Sequence, residues 1–297
     1  MCATKPSHVR TAPCRSRNRH HLDPAVSWRS LSPPRMGKVG DLEQLARPPI
    51  YEVVCGFVFP ALALDPFLLG AYWSTRRKEF PERQAQPPVS EQMGISFGVP
   101  QVRAWFLSGN KEHVLQIQND RLYFNWRHEG GAPYPSFSGR QGGGGHRDHT
   151  LQEFARFADF VHQETGTRPA PVRADLAKVD LLPEDTYWHG KAELARLLPW
   201  VRLPLEFADT ELPSLSFQLQ EPRDAGVLTV QIDLVLLNSK RAIKVESRIG
   251  TAVTGSGGEA LRQSLDAANE QLNERVFAEL FPKAIRDEFF QAQRRQK

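Results

Sequence analysis

Short strand-like stretches, grouped in threes and separated by turn residues, constrain the fold of this chain more than any other feature. Ser214 to Gln220 alternates between apolar and polar residues, as a strand with one buried face does. Asn119 and Asp120 join two other stretches and predict a tight hairpin. The two groups predict antiparallel sheet and comprise residues 102–107, 113–118 and 121–127, then 214–220, 226–237 and 242–249.

A strand and a helix precede each group, and a helix follows it. In the first half, Asp65 and Pro66 predict a helix start, as N-cap and first helical residue. The predicted strands are 50–59 and 172–181, and the predicted helices are 66–80, 151–163, 191–198 and a long C-terminal helix over 258–281. The fold class expected is therefore α+β, with two successive strand-helix-three-strand-helix units, over 47–168 and 169–297, whose antiparallel sheets carry helices on one face. We find no residue-level repeat that would establish a duplication.

The basic charge of the chain belongs to its N-terminal segment. The 297 residues carry a net charge of +4, whereas residues 1–35 alone hold seven Lys or Arg and one Asp, so the remainder carries −2. Residues 1–46 lack a periodic apolar pattern and are expected to be a disordered basic tail. Three interpretations stay open: a nucleic-acid-binding arm, a transit peptide, or a start codon assigned too early, with Met36 as the true start. Because the body is slightly acidic, nucleic-acid binding by the folded part is not expected.

Cysteine usage and hydropathy indicate a cytoplasmic protein. Of Cys2, Cys14 and Cys55, two lie in the tail, none forms a CxxC pair, and Cys55 is expected to be a buried apolar residue. The apolar run 53–73 is interrupted by Pro60, Asp65 and Pro66, so we expect a strand, a turn and a helix there instead of a membrane span.

Several short motifs resemble a sporadically distributed prokaryotic family of uncharacterised proteins. Pro48-Pro49-Ile50-x-Glu52 resembles the strand with which its members begin, and residues 114–125 resemble its central hairpin. The other matching positions are Glu79-Phe80-Pro81, Tyr134-Pro135, Phe154 and Phe277. The resemblance covers residues 47–290 and implies an architecture, since the family has no established activity. Residues 174–178 (ADLAK) depart from it, because the family often has a Tyr-Ile-Asn strand there.

The candidate binding site lies around the end of the third strand-like stretch. Tyr123, Trp126 and Tyr134 offer aromatic walls for a pocket, and Asn125 with Arg127 offers hydrogen bonds to a polar or anionic ligand. The same residues are equally typical of a half-buried strand. Glu52, among apolar neighbours, would need a partner such as an Arg if it were buried.

Known cofactor motifs are not found in the sequence, so no cofactor is predicted. The run from Gly250 to Ser256 lacks the Lys of a phosphate-binding loop. His146 and His149 follow a run of glycines and are weak candidates for metal ligands, because no third ligand is placed by the sequence and a solvent-exposed loop is the simpler interpretation. No metal site is therefore predicted.

The function expected is binding of a protein partner or small ligand, through a sheet face or the cleft between the halves, without catalysis. The sequence leaves open whether the partner is another protein or a second copy of this chain. The alternatives are an enzyme or nucleotide-handling component of a mobile accessory or defence-like system, and nucleic-acid binding through the tail. An enzyme should show a buried cleft with converging titratable groups, and a binding module an exposed apolar patch or sheet edge.

Overall fold

A computed structural model describes residues 44–45, 48–89, 102–129, 134–139, 144–199, 216–223, 226–237, 239–290 and 292–293. All of them belong to one compact unit, Leu42–Lys297. The predicted tail lies outside the described residues, apart from a two-residue strand. The strands are β1 Gln44–Leu45, β2 Ile50–Val58, β3 Glu82–Gln86, β4 Arg103–Leu107, β5 His113–Gln118, β6 Arg121–Arg127, β7 Arg173–Pro183, β8 Ser216–Arg223, β9 Gly226–Leu237, β10 Lys240–Ala252 and β11 Ala292–Gln293. The α-helices are α1 Pro66–Arg76, α2 His146–Thr165, α3 Gly190–Leu197, α4 Gly257–Asn269, α5 Phe277–Leu280 and α6 Lys283–Phe289.

The fold is α+β, as expected, and its centre is one antiparallel sheet of nine strands. The strand order is β3-β4-β5-β6-β2-β7-β10-β9-β8, so strands from both halves of the chain join in the same sheet. β2 and β7 pair at the middle, from Val53 opposite Lys178 to Val58 opposite Arg173. β1 and β11 form a separate two-stranded pair.

The two faces of the sheet differ in chemistry because each strand alternates. In β2, Val53, Cys55 and Phe57 are fully buried and lie on the face where the helices pack, here called the helix face. Glu52 and Gly56 lie on the opposite face, here called the polar face, and the register carries this division into every neighbouring strand. The burial of Cys55 confirms its prediction as an apolar core residue, and burial raises the pKa of its thiol to about 12.

The helices bury their apolar sides against the helix face. Asp65 caps α1 by accepting a hydrogen bond from the Leu68 N–H at 2.7 Å, as its position before Pro66 predicts. Phe154 of α2 lies 4.9 Å from Phe57 between ring centroids, and Leu265 of α4 is fully buried in the same core. No helix among the described residues combines the length and apolarity that crossing a membrane requires.

β3, α1, α2 and the C-terminal helix show the main differences from the predictions. β3 lies between the predicted helix 66–80 and the predicted strand 102–107, where neither a helix nor a strand is predicted, because almost all its residues are polar and show no apolar period. α1 ends at Arg76, four residues early, and α2 begins at His146, inside the expected glycine-rich loop. The predicted C-terminal helix is not one regular α-helix, since a π-helical segment, Glu270–Val276, separates α4 from α5.

Candidate functional site

The sheet separates the predicted site residues into two groups. Glu52, Tyr123, Asn125 and Arg127 lie on the polar face. Trp126 points to the helix face, where it meets Tyr134 at 5.2 Å between ring centroids. The structure therefore brings the six residues into two places on opposite sides of one sheet.

The first polar-face network is built around Glu52, which lies opposite Arg127 on the neighbouring strand. Its Oε1 accepts hydrogen bonds from Asn125 Nδ2 at 2.6 Å and from Arg127 Nε at 3.1 Å. The Arg127 guanidinium also lies over the Trp105 ring, 4.8 Å from its centroid. Glu52 is thus paired with an arginine, as a partly buried carboxylate requires.

The second polar-face network is built around Asp175, on the central strand β7. Tyr123 donates its hydroxyl hydrogen to Asp175 Oδ2 at 2.7 Å, while Arg173 and Arg248 donate to the same carboxylate at 2.7 and 2.9 Å. Tyr123 reaches Asp175 across Gly56, where a Cβ atom would lie 2.6 Å from the Tyr123 ring. Gly56 therefore provides the space that the tyrosine needs, and this carboxylate has its partners within the protein.

On the helix face lies a group of polar residues, here called the inner cluster. Tyr134 and Ser136 are half-buried, and His146, Lys178 and Asp180 are buried. The Tyr134 and His146 rings lie 6.1 Å apart between centroids. The backbone N–H of His146 donates to the backbone carbonyl of Ser136 at 3.0 Å. The Tyr134 hydroxyl, the Ser136 hydroxyl, both His146 ring nitrogens and Asp180 Oδ1 are buried without a hydrogen-bond partner. Such atoms are uncommon in native proteins, and each costs about 1–3 kcal/mol.

His146 is held neutral by its surroundings. Only 1% of the residue is exposed, and its ring stacks on Phe124 at 5.3 Å between centroids. Burial, together with the nearby charges of His113, His149 and Lys178, lowers the His146 pKa to about 3. The Phe124 backbone acts in the opposite direction, although its contact with the ring does not reach the geometry of a hydrogen bond. A neutral imidazole offers a ligand one donor and one acceptor.

Lys178 and Asp180 bring two opposite charges into the same interior. They lie on the same face of β7, and 6% and 4% of the residues are exposed. Burial lowers the lysine pKa and raises the aspartate pKa, while the charge of each partner favours the ionised form of the other. Asp180 Oδ1 accepts no hydrogen bond within the protein, so it can accept one from a bound molecule.

The start of α2 is fixed closely against the segment that carries Tyr134 and Ser136. At Gly145 a Cβ atom would lie 2.1 Å from the Gly139 nitrogen and 2.3 Å from the Phe137 carbonyl oxygen. Any other residue at Gly145 would push α2 away from this segment. The glycine before His146 therefore holds the histidine beside Tyr134.

His149 differs from His146 although both lie in the first turn of α2. His149 is exposed, and its ring lies 6.3 Å from that of Phe124. Among the residues that the structure describes, no group of three or more His, Cys, Asp or Glu side chains is arranged to hold a metal ion. A surface cavity of about 640 Å³ lies nearby, and Asp148 and Arg262, which line it, bind each other at 2.6 Å.

Lys178 and Asp180 were missed as site residues, although the sequence contains a signal for them. Ala174, Leu176 and Leu182 are fully buried on the helix face, so the two-residue period places positions 178 and 180 on that face too. Charged residues at two successive core positions of a central strand are exceptional.

Comparison of the chain with models of known families, with curated proteins and with solved structures finds no match.

Proposed function

We propose that this protein binds a small polar molecule at the inner cluster and does not transform it. The observation that carries the proposal is the set of buried atoms without partners on Tyr134, Ser136, His146 and Asp180. Because an unpartnered polar atom inside a protein is costly, a cluster of them supports a bound molecule with matching donors and acceptors. Trp126 and Phe124 supply the apolar walls that small-molecule sites usually have.

The position of the cluster suits a site formed between two parts of the chain. Tyr134, Ser136 and His146 come from the first half, and Lys178 and Asp180 from the second. We propose that these halves are two successive strand-helix-three-strand-helix units that share one sheet, with β3 as an additional strand in the first. Support comes from the strand order. Toward the centre of the sheet it runs β4-β5-β6-β2 from one side and β8-β9-β10-β7 from the other.

The test compares two tyrosines that differ in their surroundings. Wild-type protein, Tyr134→Phe and Tyr123→Phe are purified gently from cells, and native and denaturing mass spectra are recorded. Wild type and Tyr123→Phe should carry the same small-molecule mass, which is released on denaturation. Tyr134→Phe should carry at least about tenfold less, since it lacks one hydrogen bond to the bound molecule. Wild type without added mass, or equal loss from both variants, would contradict the proposal.

An enzyme of a mobile accessory or defence-like system is the second candidate. The observation that favours it is the convergence of His146, Lys178 and Asp180, three titratable groups in one interior. An enzyme would convert the small molecule released from the denatured protein into a chemically different product. Incubating the denatured extract with fresh protein, and with a Lys178→Met/Asp180→Leu variant, separates the two functions: turnover by wild type alone identifies an enzyme.

Two further proposals concern the parts of the chain that the inner cluster does not explain. Membership of the sporadically distributed family is supported by the motifs of residues 47–290. Nucleic-acid binding would depend on residues 1–35, so a variant starting at Met36 should lose it, and the affinity of the full chain should fall with salt. Binding that persists after truncation would exclude the tail as its source.

A further inference from the structure

We propose that two copies of this chain associate through β8, whose outer edges pair antiparallel to extend the sheet across a dimer. The proposal concerns the edge of the sheet and is independent of the inner cluster. β8 is the last strand in the order of the nine-stranded sheet. An edge strand has backbone donors and acceptors directed away from the sheet, and another strand is the natural partner for them.

In the described part of this sheet edge, residues 216–220 of β8 lack the charges and prolines that usually protect an edge strand. Ser216 to Gln220 are all exposed and hold no charged residue, and Leu219 keeps 41% of its surface accessible. Val227, on the neighbouring strand, is 56% exposed. Edge strands that remain single generally carry charges, prolines or bulges in such positions. Pro222 lies only toward the far end of β8.

The opposite edge of the same sheet shows the protected alternative. β3 has the sequence Glu-Arg-Gln-Ala-Gln, so charges occupy its first two positions. The Arg83 guanidinium lies over the Trp73 ring, 4.5 Å from its centroid. Joining β8 of one copy to β3 of another would desolvate these charges beside apolar residues. The pairing of unlike edges, which would build an open-ended chain of molecules, is therefore disfavoured.

Pairing of β8 with itself matches like with like. With Gln218 opposite Gln218 of the second copy, a twofold axis places Phe217 beside Leu219 and Ser216 beside Gln220. Apolar side chains then meet on one face and polar ones on the other, and no like charges oppose each other within these five residues. The second copy would also cover the exposed surface of Leu219. A closed twofold dimer follows from this self-complementarity.

The first test measures mass in solution over a dilution series, by sedimentation or light scattering. Wild type should be a dimer that dissociates on dilution. Leu219→Lys should weaken the dimer at least about tenfold, because a charge is buried at the new interface. Leu236→Lys is the matched control, because Leu236 lies on β9 and is 75% exposed. This variant should dimerise as wild type does. A monomeric wild type, or a Leu219→Lys variant as dimeric as wild type, would overturn the proposal.

The second test reports the register and does not depend on a destabilising change. Cys2→Ser and Cys14→Ser first remove the two cysteines of the N-terminal tail. In this background, Gln218→Cys places one thiol of each copy opposite the other across the twofold axis, close enough for a disulfide. Oxidised glutathione should convert this variant into a covalent dimer. The matched control, Gln84→Cys on the exposed β3 edge, should remain monomeric on denaturing gels. Equal cross-linking of both variants, or none at Gln218→Cys, would overturn the β8 pairing.

Discussion

The polar face and the helix face of the sheet both contain charged and hydrogen-bonding residues at the level of the central strands, but they differ in whether these residues have partners. On the polar face, Asp175 is bound by Tyr123, Arg173 and Arg248. On the helix face, Tyr134, His146 and Asp180 each keep buried polar atoms without one. The comparison separates polar groups that stabilise the fold from polar groups that are available to a ligand.

Among the described residues of the polar face, Asn125 is an exception to this division. Asn125 donates to Glu52, but its Oδ1 is buried without a partner on the polar face. A single acceptor of this kind differs from the inner cluster, where donors, acceptors and two charged groups lie together. The comparison therefore depends on the clustering of such atoms as well as on their presence.

The largest effect is expected from breaking the charge pair of the inner cluster. Lys178→Met leaves Asp180 buried without its counter-charge and should lower the free energy of unfolding by about 3 kcal/mol. Lys178→Met/Asp180→Leu should recover most of that loss, because an apolar pair needs no compensation. Urea unfolding of Lys178→Met, Asp180→Leu and the double variant measures the coupling. A double variant as unstable as the sum of its parts would show that the charges do not act as a pair.

The next effect is on the polar face and tests whether its close packing is essential. Gly56→Ala would place a Cβ atom 2.0 Å from the Leu122 carbonyl oxygen and should cost about 2–3 kcal/mol of stability. Gly70→Ala on α1 has no atom within 4 Å of its new methyl group and should stabilise the protein by about 0.5–1 kcal/mol. Thermal unfolding of both variants measures this difference, and equal midpoints would contradict it.

The neutral state of His146 predicts a particular dependence on pH. The folded state resists protonation of this ring down to about pH 3, whereas the unfolded chain takes up the proton near its ordinary pKa of 6.5. The unfolded state thus binds more protons in this window, and stability falls as the pH is lowered. At pH 4.5 the contribution of this residue is a loss of roughly 2–3 kcal/mol.

Unfolding free energies of wild type and His146→Phe, measured from pH 7 to 4.5, isolate that contribution. The variant should lose less stability over this range than wild type does, because its ring cannot be protonated on unfolding. Parallel curves for the two proteins would show that His146 is not held neutral by burial.

The smallest changes in the free energy of unfolding are expected for the two tyrosines that are compared in the ligand-binding test. Tyr123→Phe removes a hydrogen bond to a carboxylate and should cost about 1–2 kcal/mol. Tyr134→Phe removes a hydroxyl that has no partner, so stability without a bound molecule should be unchanged or up to about 1 kcal/mol higher. Urea unfolding after dialysis under denaturing conditions and refolding measures both. A larger loss for Tyr134→Phe would show that its hydroxyl is bonded within the protein.

The hairpins could be predicted from the sequence because turn residues bound them. The predicted limits of β5, β6 and β9 agree with the structure to the residue. β3 could not be predicted in this way, since a polar edge strand has no apolar face to set a period. The start of α2 was hidden by the glycines before it, which permit the close contact at Gly145.

The candidate site was harder to predict because its parts meet only in three dimensions. Asn125, Trp126 and Arg127 were grouped by their proximity in sequence, although alternation along one strand directs Trp126 away from the other two. The rings of Trp126 and Tyr134 do meet on the helix face. Lys178 and Asp180 join them only through the pairing of β7 beside β2, and no short motif specifies that register.

The antiparallel pairing of β2 with β7 has a practical consequence for how the chain can be handled. Residues 166–171 connect α2 to β7 and are largely exposed, and Gly166 has a positive φ of 72°. Cutting the chain there would leave two fragments, each carrying a part of the sheet whose new edge is a central strand, β2 or β7, and whose partner strand lies in the other fragment. Co-expressed, they should recover the fold by strand complementation, so the protein offers a natural split site at which two fused proteins could be brought together.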